Sequence, residues 1–269
     1  MADPVANLDV TDHPGGDAVT YLAHVMQAGT IEEIWALHVD CMARFGFDRL
    51  LYAFTRFRTP TSLGSPDDSM ILSNHHPDYI AEFVHGGLYQ SAPMVRWSAD
   101  NVGAMSWSLM AEAMQKDALT RPERRVAEFN ARYKVCAGYS ISFHDVSVRS
   151  KGGIGLCARP GLSQEDVDKI WQEHGREILV MNNVVHLRIS ALPYVSRKNL
   201  TARQREALEW VGDGKTTQDI ATIMGLTPAT IEKHLRLARD VLDVETTAQA
   251  VLKAAFRNQI FVVPQVAAS

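Results

Sequence analysis

The tetrad Gly225-Leu226-Thr227-Pro228 stands between two amphipathic segments and leaves little freedom in how they meet. Before it, Gln218–Met224 places Ile220, Ala221 and Met224 on one side of a short helix, with Thr217 as the expected N-cap. Gly225 stops that helix and Leu226 fills the angle. Thr227-Pro228 then supplies an N-cap and first position for a second helix, whose buried side is Ile231, Leu235 and Ala238. Upstream, Leu200–Gly214 reads as a helix capped by Thr201, with Ala207, Leu208 and Val211 as its apolar face. A last helix from Thr247 to Asn258 closes the bundle.

Two short helices meeting through a small-residue turn form a helix-turn-helix, whose second helix can offer polar side chains to base edges in the major groove. Thr230, Lys233, His234 and Arg236 are the candidates for that role, and Lys215, Thr216 and Thr217 are placed for phosphates. Glu232 opposes phosphate but can accept from cytosine. The competing reading of the same pattern is a helical bundle with solvated charges that contacts other proteins. The net charge of −4 does not decide between them until it is divided. From Arg197 onward there are ten Lys/Arg against eight Asp/Glu, so the remainder of the chain carries the negative excess.

The segment from Leu200 to Val251 closely resembles the C-terminal DNA-binding domain of LuxR-type regulators. The shared features are the opening Leu200-Thr201, Leu208 and Gly214, the pair Ile220-Ala221, the turn Gly225-Leu226, and Thr230-Ile231 followed by His234. Gln204 stands where the family usually has Glu, which keeps the hydrogen-bonding shape and drops the charge.

Ahead of this module the pattern mixes helices with a small sheet. Helical periodicity runs from Asp17 to about Gly46, interrupted at Gly29, with Thr30 and Glu33 spaced as a capping box. Leu50–Phe57 and a segment beginning at Met70 read as strands, separated by a loop rich in Pro, Ser, Gly and Asp. Asp78–Trp97 is helical with breaks at Gly86-Gly87 and before Pro93, and Arg121–Val135 is an amphipathic helix. Tyr139–Val148 and Gly153–Ala158 are expected as a hairpin turning at Arg149-Ser150-Lys151-Gly152, and Ser163 with Asp166 caps a long helix towards Ile189. The expected fold is α+β: an α/β/α sandwich around a small antiparallel sheet, joined to an all-α four-helix domain. The expected boundaries are a disordered lead over 1–16, a sensor domain over 17–190, a linker over 191–199, the helix-turn-helix domain over 200–262 and a tail over 263–269.

Other input modules fit less well. A phosphorylated receiver needs acidic residues after its first strand and repeated βα units, whereas Asp9, Asp12 and Asp17 follow no strand. An enzyme finds no Gly-x-Ser-x-Gly turn, phosphate loop or metal-spaced His pair, and His75, His76 and His85 have no recognisable carboxylate partner. Cys41, Cys136 and Cys157 are too far apart for a metal cluster and fit a reduced cytoplasmic setting without disulfides. No apolar run reaches the ~20 residues of a membrane span, and no metal or cofactor is expected.

The layout of the first domain, more loosely, resembles the acyl-homoserine-lactone-binding domain of quorum-sensing LuxR-type proteins. Asn74, Pro77, Phe83, Pro93 and Trp107 fall on the family's ligand-binding core, and Gly138 in the hairpin strand on a family glycine. The resemblance implies ligand contacts at Tyr52, Tyr79, Phe83, Ala92, Trp107, Tyr139, Ser140 and Cys157. Two positions depart from the family. Its first Trp, which donates to the lactone carbonyl, is replaced by Tyr79 or Ile80, and the Asp that accepts from the ligand amide falls on Ala92. An amide N–H left without that acceptor costs about 1–3 kcal/mol. The resemblance therefore implies a homodimeric DNA-binding regulator controlled by an acyl-homoserine lactone or a relative of it, with double-stranded DNA and RNA polymerase as partners. The alternative is a LuxR-type regulator that needs no ligand and is controlled by its expression level or a protein partner.

Overall fold

The computed structural model describes residues 17–145, 147–193 and 199–261. The expected lead and tail, and the middle of the expected linker, lie outside the described residues. The chain divides into two compact units, Met1–Ser190 and Ala191–Ser269.

The first unit opens with α1 (Ala18–Gln27) and α2 (Ile31–Arg44). Asp17 caps α1, and the Thr30–Glu33 capping box starts α2, as the spacing required. Strand β1 (Phe47–Thr55) pairs antiparallel with β2 (Met70–Ser73). Then come α3 (Pro77–Ile80), a π-turn over Ala81–His85, a 3-10 turn over Leu88–Ser91 and α4 (Pro93–Asp100). Strand β3 (Gly103–Ser106), α5 (Ser108–Gln115), α6 (Arg121–Arg132), β4 (Gly138–Ser142), β5 (Lys151–Ala158) and α7 (Gln164–Ala191) complete the unit. All five strands form one antiparallel sheet in the order β2-β1-β5-β4-β3.

Two expectations for the first unit need correction. Strand β4 ends at Ser142 and Lys151-Gly152 already belong to β5, so the connection is a longer loop rather than a tight turn at 149–152. Asp145 anchors that loop: its carboxylate accepts from Gly152 N–H at 3.0 Å and lies 3.6 Å from His186 Nε2. Helix α6 stops at Arg132, because Lys134 takes the left-handed conformation at φ 58°. Strand β3 and α5 carried no expectation.

Cross-strand pairing sorts the side chains onto two faces. Tyr52, Ile154 and Ile141 are paired across β1, β5 and β4, and so share a face. This face meets α2 and α7, where the Tyr52 hydroxyl bonds His186 Nδ1 at 2.9 Å and Trp35 approaches Tyr52 ring to ring. A buried chain ties the same helices together. His38 Nε2 bonds Asn182 Oδ1 at 3.0 Å, and the Tyr21 hydroxyl meets His38 Nδ1 at 2.8 Å. Because the Asn182 amide nitrogen donates to Ile178 O, its oxygen must accept, which makes His38 the Nε2–H tautomer. Burial lowers the His38 pKa to about 4, so the ring is neutral.

The second unit contains α8 (Ala202–Gly212), α9 (Thr217–Met224), α10 (Pro228–Leu242) and α11 (Thr247–Phe256) around one apolar core. Ala207, Leu208, Ile220, Ala221, Ile231, Leu235, Ala238, Ala250 and Ala254 are buried in it. The cap of α9 is Thr216, not Thr217. A capping box needs an acceptor three residues on, and Asp219 stands there for Thr216, whereas Thr217 would meet Ile220.

Candidate ligand cavity and nucleic-acid interface

The other face of the sheet is cut back. Leu51, Gly155 and Ser140 are paired in one row, and Ala53, Gly153 and Ser142 in the next. Small residues here leave a cavity of about 470 Å³ between the sheet and the segment running from α3 to α6. Its walls are mainly apolar, with Ile71, Val84, Val95, Met110, Met114 and Val126 among them. That is the size and character of a site for a small apolar molecule.

Trp107 forms part of the wall by lying against the sheet. Its ring stands where a β-carbon on Gly138 would come within 2.9 Å and one on Gly155 within 3.7 Å. The indole Nε1–H donates to Ser140 Oγ at 2.9 Å. Tyr79 stacks between His75, Phe83 and Phe129, and its hydroxyl donates to Asn130 Oδ1 at 3.1 Å. Burial raises the Tyr79 pKa and lowers that of His75 to about 4, so both rings are neutral at pH 7.

Tyr79, Phe83, Ala92, Trp107 and Ser140 thus come together on this cavity. Tyr52 and Tyr139 do not. Tyr52 faces α7, and Tyr139 stacks on Trp171 at 4.0 Å while its hydroxyl donates to Asp168 at 2.8 Å. The period of two puts each on the opposite face from its cavity-lining neighbour, Leu51 and Ser140 respectively. Cys157 belongs to the aromatic cluster of Tyr79, Phe83 and Phe129 beside the cavity, and burial pushes its thiol up to about 12. Asn74 is structural: its side chain accepts from Leu50 N–H at 2.6 Å and donates to Asp48 O at 2.8 Å. Sequence reasoning missed Leu51, Ala53 and Asn130. Strand alternation could have found the first two, and Asn130, four residues after Val126, sits on the buried edge of α6.

In the second unit the turn is as the glycine demanded. Gly225 is left-handed at φ 64°, and the Thr227 side chain accepts from Thr230 N–H at 3.3 Å. Ile231, Leu235, Ala238 and Leu242 bury one stripe of α10. The opposite stripe, exposed to solvent, carries Ala229, Glu232, Lys233 and Arg236. Thr230 and His234 are half-buried at its flank, and the Thr230 hydroxyl is bonded to that of Thr227 at 2.8 Å. Lys215 and Thr216 are exposed and Thr217 half-buried at the start of α9, with the Thr216 hydroxyl donating to Asp219. Gln204 completes the box at α8 by accepting from Thr201 N–H at 2.8 Å, a task that needs no charge.

A family model described as the autoinducer binding domain matches residues 30–189, and one described as bacterial regulatory proteins, luxR family, matches 198–254. The chain is a LuxR-family transcriptional regulator. Its family is made up of regulators and not enzymes. The regulator is 23% identical to the transcriptional activator protein AnoR of Acinetobacter nosocomialis over 228 residues, covering 83% of this chain and 90% of AnoR. It is 29% identical over 190 residues to RpaR of Rhodopseudomonas palustris, a quorum sensing-dependent transcriptional regulator, covering 69% and 73% of the two chains. Its fold matches the solved structure of SdiA in complex with octanoyl-rac-glycerol at a TM-score of 0.51 and 16% identity, over 93% of this chain and 97% of that one. Among the described residues, no helix of the regulator is long and apolar enough to cross a membrane.

Proposed function

We propose that the regulator works in the cytoplasm as a homodimer that takes one small acyl ligand per subunit, an acyl-homoserine lactone or a relative of it, and binds two-fold operator DNA according to whether the ligand is present. The observation that carries the reading is the cavity of about 470 Å³, walled mainly by apolar side chains, with Tyr79, Trp107 and Ser140 also lining it, on the same chain as a LuxR-type helix-turn-helix. SdiA, whose fold is similar, is described with an acyl glycerol bound. Phe83 and Ala92 complete the ligand wall in this reading, and Lys233, Arg236, Thr230 and His234 face the major groove while Lys215, Thr216 and Thr217 meet phosphates. Dimerisation follows from the short run of bases that one recognition helix reads. The exposed side chains of Val180 and Leu187 on α7 and of Leu252 on α11 are its candidate surfaces. Ligand control requires a difference in affinity between the free and DNA-competent forms, and RNA polymerase is the downstream partner.

Native mass spectrometry of the purified protein with a panel of neutral acyl compounds, lactones included, tests this directly. The expected species is a dimer carrying one ligand per subunit. Ala92 favours a second reading, since it adds no polar group to the cavity wall. A dimer that retains no acyl compound yet still shifts promoter DNA would mean a ligand-independent regulator.

A further inference from the structure

Helix α6 turns one stripe to the cavity, made of Val126, Ala127, Asn130 and Ala131 at helical spacing. Asn130 is the polar member of that stripe. An apolar guest alone would be served as well by leucine, which has nearly the same size, so the amide asks for a polar partner. Its oxygen has one inside the protein: the Tyr79 hydroxyl donates to Asn130 Oδ1 at 3.1 Å. Tyr79 is fixed in turn by its ring, which stacks on His75 at 4.6 Å and on Phe83 and Phe129 at 5.2 Å, and meets Tyr133 edge-on at 5.4 Å. The Asn130 oxygen is therefore held, and with it the plane of the amide. Its nitrogen carries two donor hydrogens, takes no side-chain or backbone partner among the described residues and is not sealed within the protein. Trp107 makes a similar pair on the sheet, giving its Nε1–H to Ser140 Oγ at 2.9 Å. The hydrogens of Tyr79 and Trp107 are thus spent inside the protein, and neither is left for a guest.

We propose that Asn130 is a ligand-binding residue whose amide N–H donates to a carbonyl oxygen of the bound acyl compound, and that Tyr79 is a positioning residue acting through it. This rests on the acyl-ligand reading above and adds to it the group that recognises the ligand's carbonyl. A donor already held in place loses little freedom when it binds. Facing an apolar guest without an acceptor, the same N–H groups would bear their desolvation cost, so they favour a guest that carries a carbonyl at this place.

The probes are N-octanoyl homoserine lactone and octanoylglycerol, and the one that binds the wild-type protein more tightly is carried into the variants. Dissociation constants are measured on the full-length protein by calorimetry, with circular dichroism to establish folding. Asn130→Asp keeps the shape and the acceptor for Tyr79 but removes both N–H groups, and it should weaken binding by about tenfold or more. Asn130→Leu makes the wall more apolar and should also weaken binding about tenfold, whereas a side chain that only lined the cavity would leave it unchanged or improve it. Tyr79→Phe lets the amide turn and should cost about threefold, and adding it to Asn130→Leu should cost nothing further. Either Asn130 variant decides if the other does not fold. Affinity within about twofold of wild type in a folded Asn130 variant overturns the proposal and leaves the acyl-ligand reading intact. A larger loss in Tyr79→Phe than in Asn130→Leu would make Tyr79 the contact and also overturn it. Binding of neither probe by the wild-type protein, with promoter binding retained, removes the acyl-ligand reading together with the proposal.

Discussion

A β-carbon on Gly138 would run first into the Leu156 carbonyl oxygen on β5 and then into the Trp107 ring at 2.9 Å, so this glycine lets β4 and β5 pair closely and leaves the place in which the indole lies. Gly138→Ala is therefore expected to push β4 from β5, displace Trp107 from Ser140 and destabilise the first unit by about 1–3 kcal/mol. A lowered denaturation midpoint with altered tryptophan fluorescence would show it, and an unchanged midpoint would contradict the close approach. Gly225 poses a different constraint. It has open space around it, and its left-handed φ of 64° is what excludes larger residues. Gly225→Val is expected to cost about 1–2 kcal/mol through backbone strain alone. At the level of single residues, Tyr79, Phe83, Ala92, Trp107 and Ser140 were legible as cavity candidates, and Tyr52 and Tyr139 were misplaced. Aromatic character marks a residue as buried, but only its parity along the strand says on which side.

Helix starts were readable at Thr30 and Thr201, whereas the cap of α9 was placed one residue late, on Thr217. Capping boxes at Thr30, Thr201, Thr216 and Thr246 each join a threonine to an acceptor three residues on. The reciprocal bonds imply a sharp test at α9. Thr216→Ala should cost about 1 kcal/mol in the stability of the second unit, while Thr217→Ala should be near neutral. Urea unfolding of the two variants distinguishes them, and equal effects would mean the box is not closed. The hairpin between β4 and β5 was less readable, since its connection is held by Asp145 through Gly152 and His186, the latter some forty residues away on α7. Local turn chemistry carries no trace of such a partner.

For the molecule as a whole, the buried histidine on α2 sets a pH dependence. His38 is neutral in the fold with its pKa lowered to about 4, against an ordinary value of 6.5. The unfolded chain therefore binds a proton that the folded one does not between those values. Stability should be intact above pH 6.5, and His38 alone should lower it by roughly 3 kcal/mol as pH drops to 4, with His75, also lowered to about 4, adding to the fall. A urea midpoint that stays flat across that window would falsify the buried Tyr21–His38–Asn182 chain as described. In the proposed complex, Arg236→Ala should weaken promoter binding and reduce the magnitude of its salt slope by no more than about one. Gel-shift titrations at several salt concentrations measure both, and unchanged values would remove α10 from the groove.

The sequence by itself determined the helix-turn-helix, because its turn, caps and apolar stripes all act within a few residues of one another. It also determined that a mixed α and β unit precedes that module, through periodicities of 3.6 and 2. Only the tertiary structure decided which strand face looks onto the cavity and which oxygens in it are already engaged. Those outcomes depend on register between β1, β4 and β5 and on side chains meeting from α3, α6 and α7, and no local rule links residues so far apart in the chain.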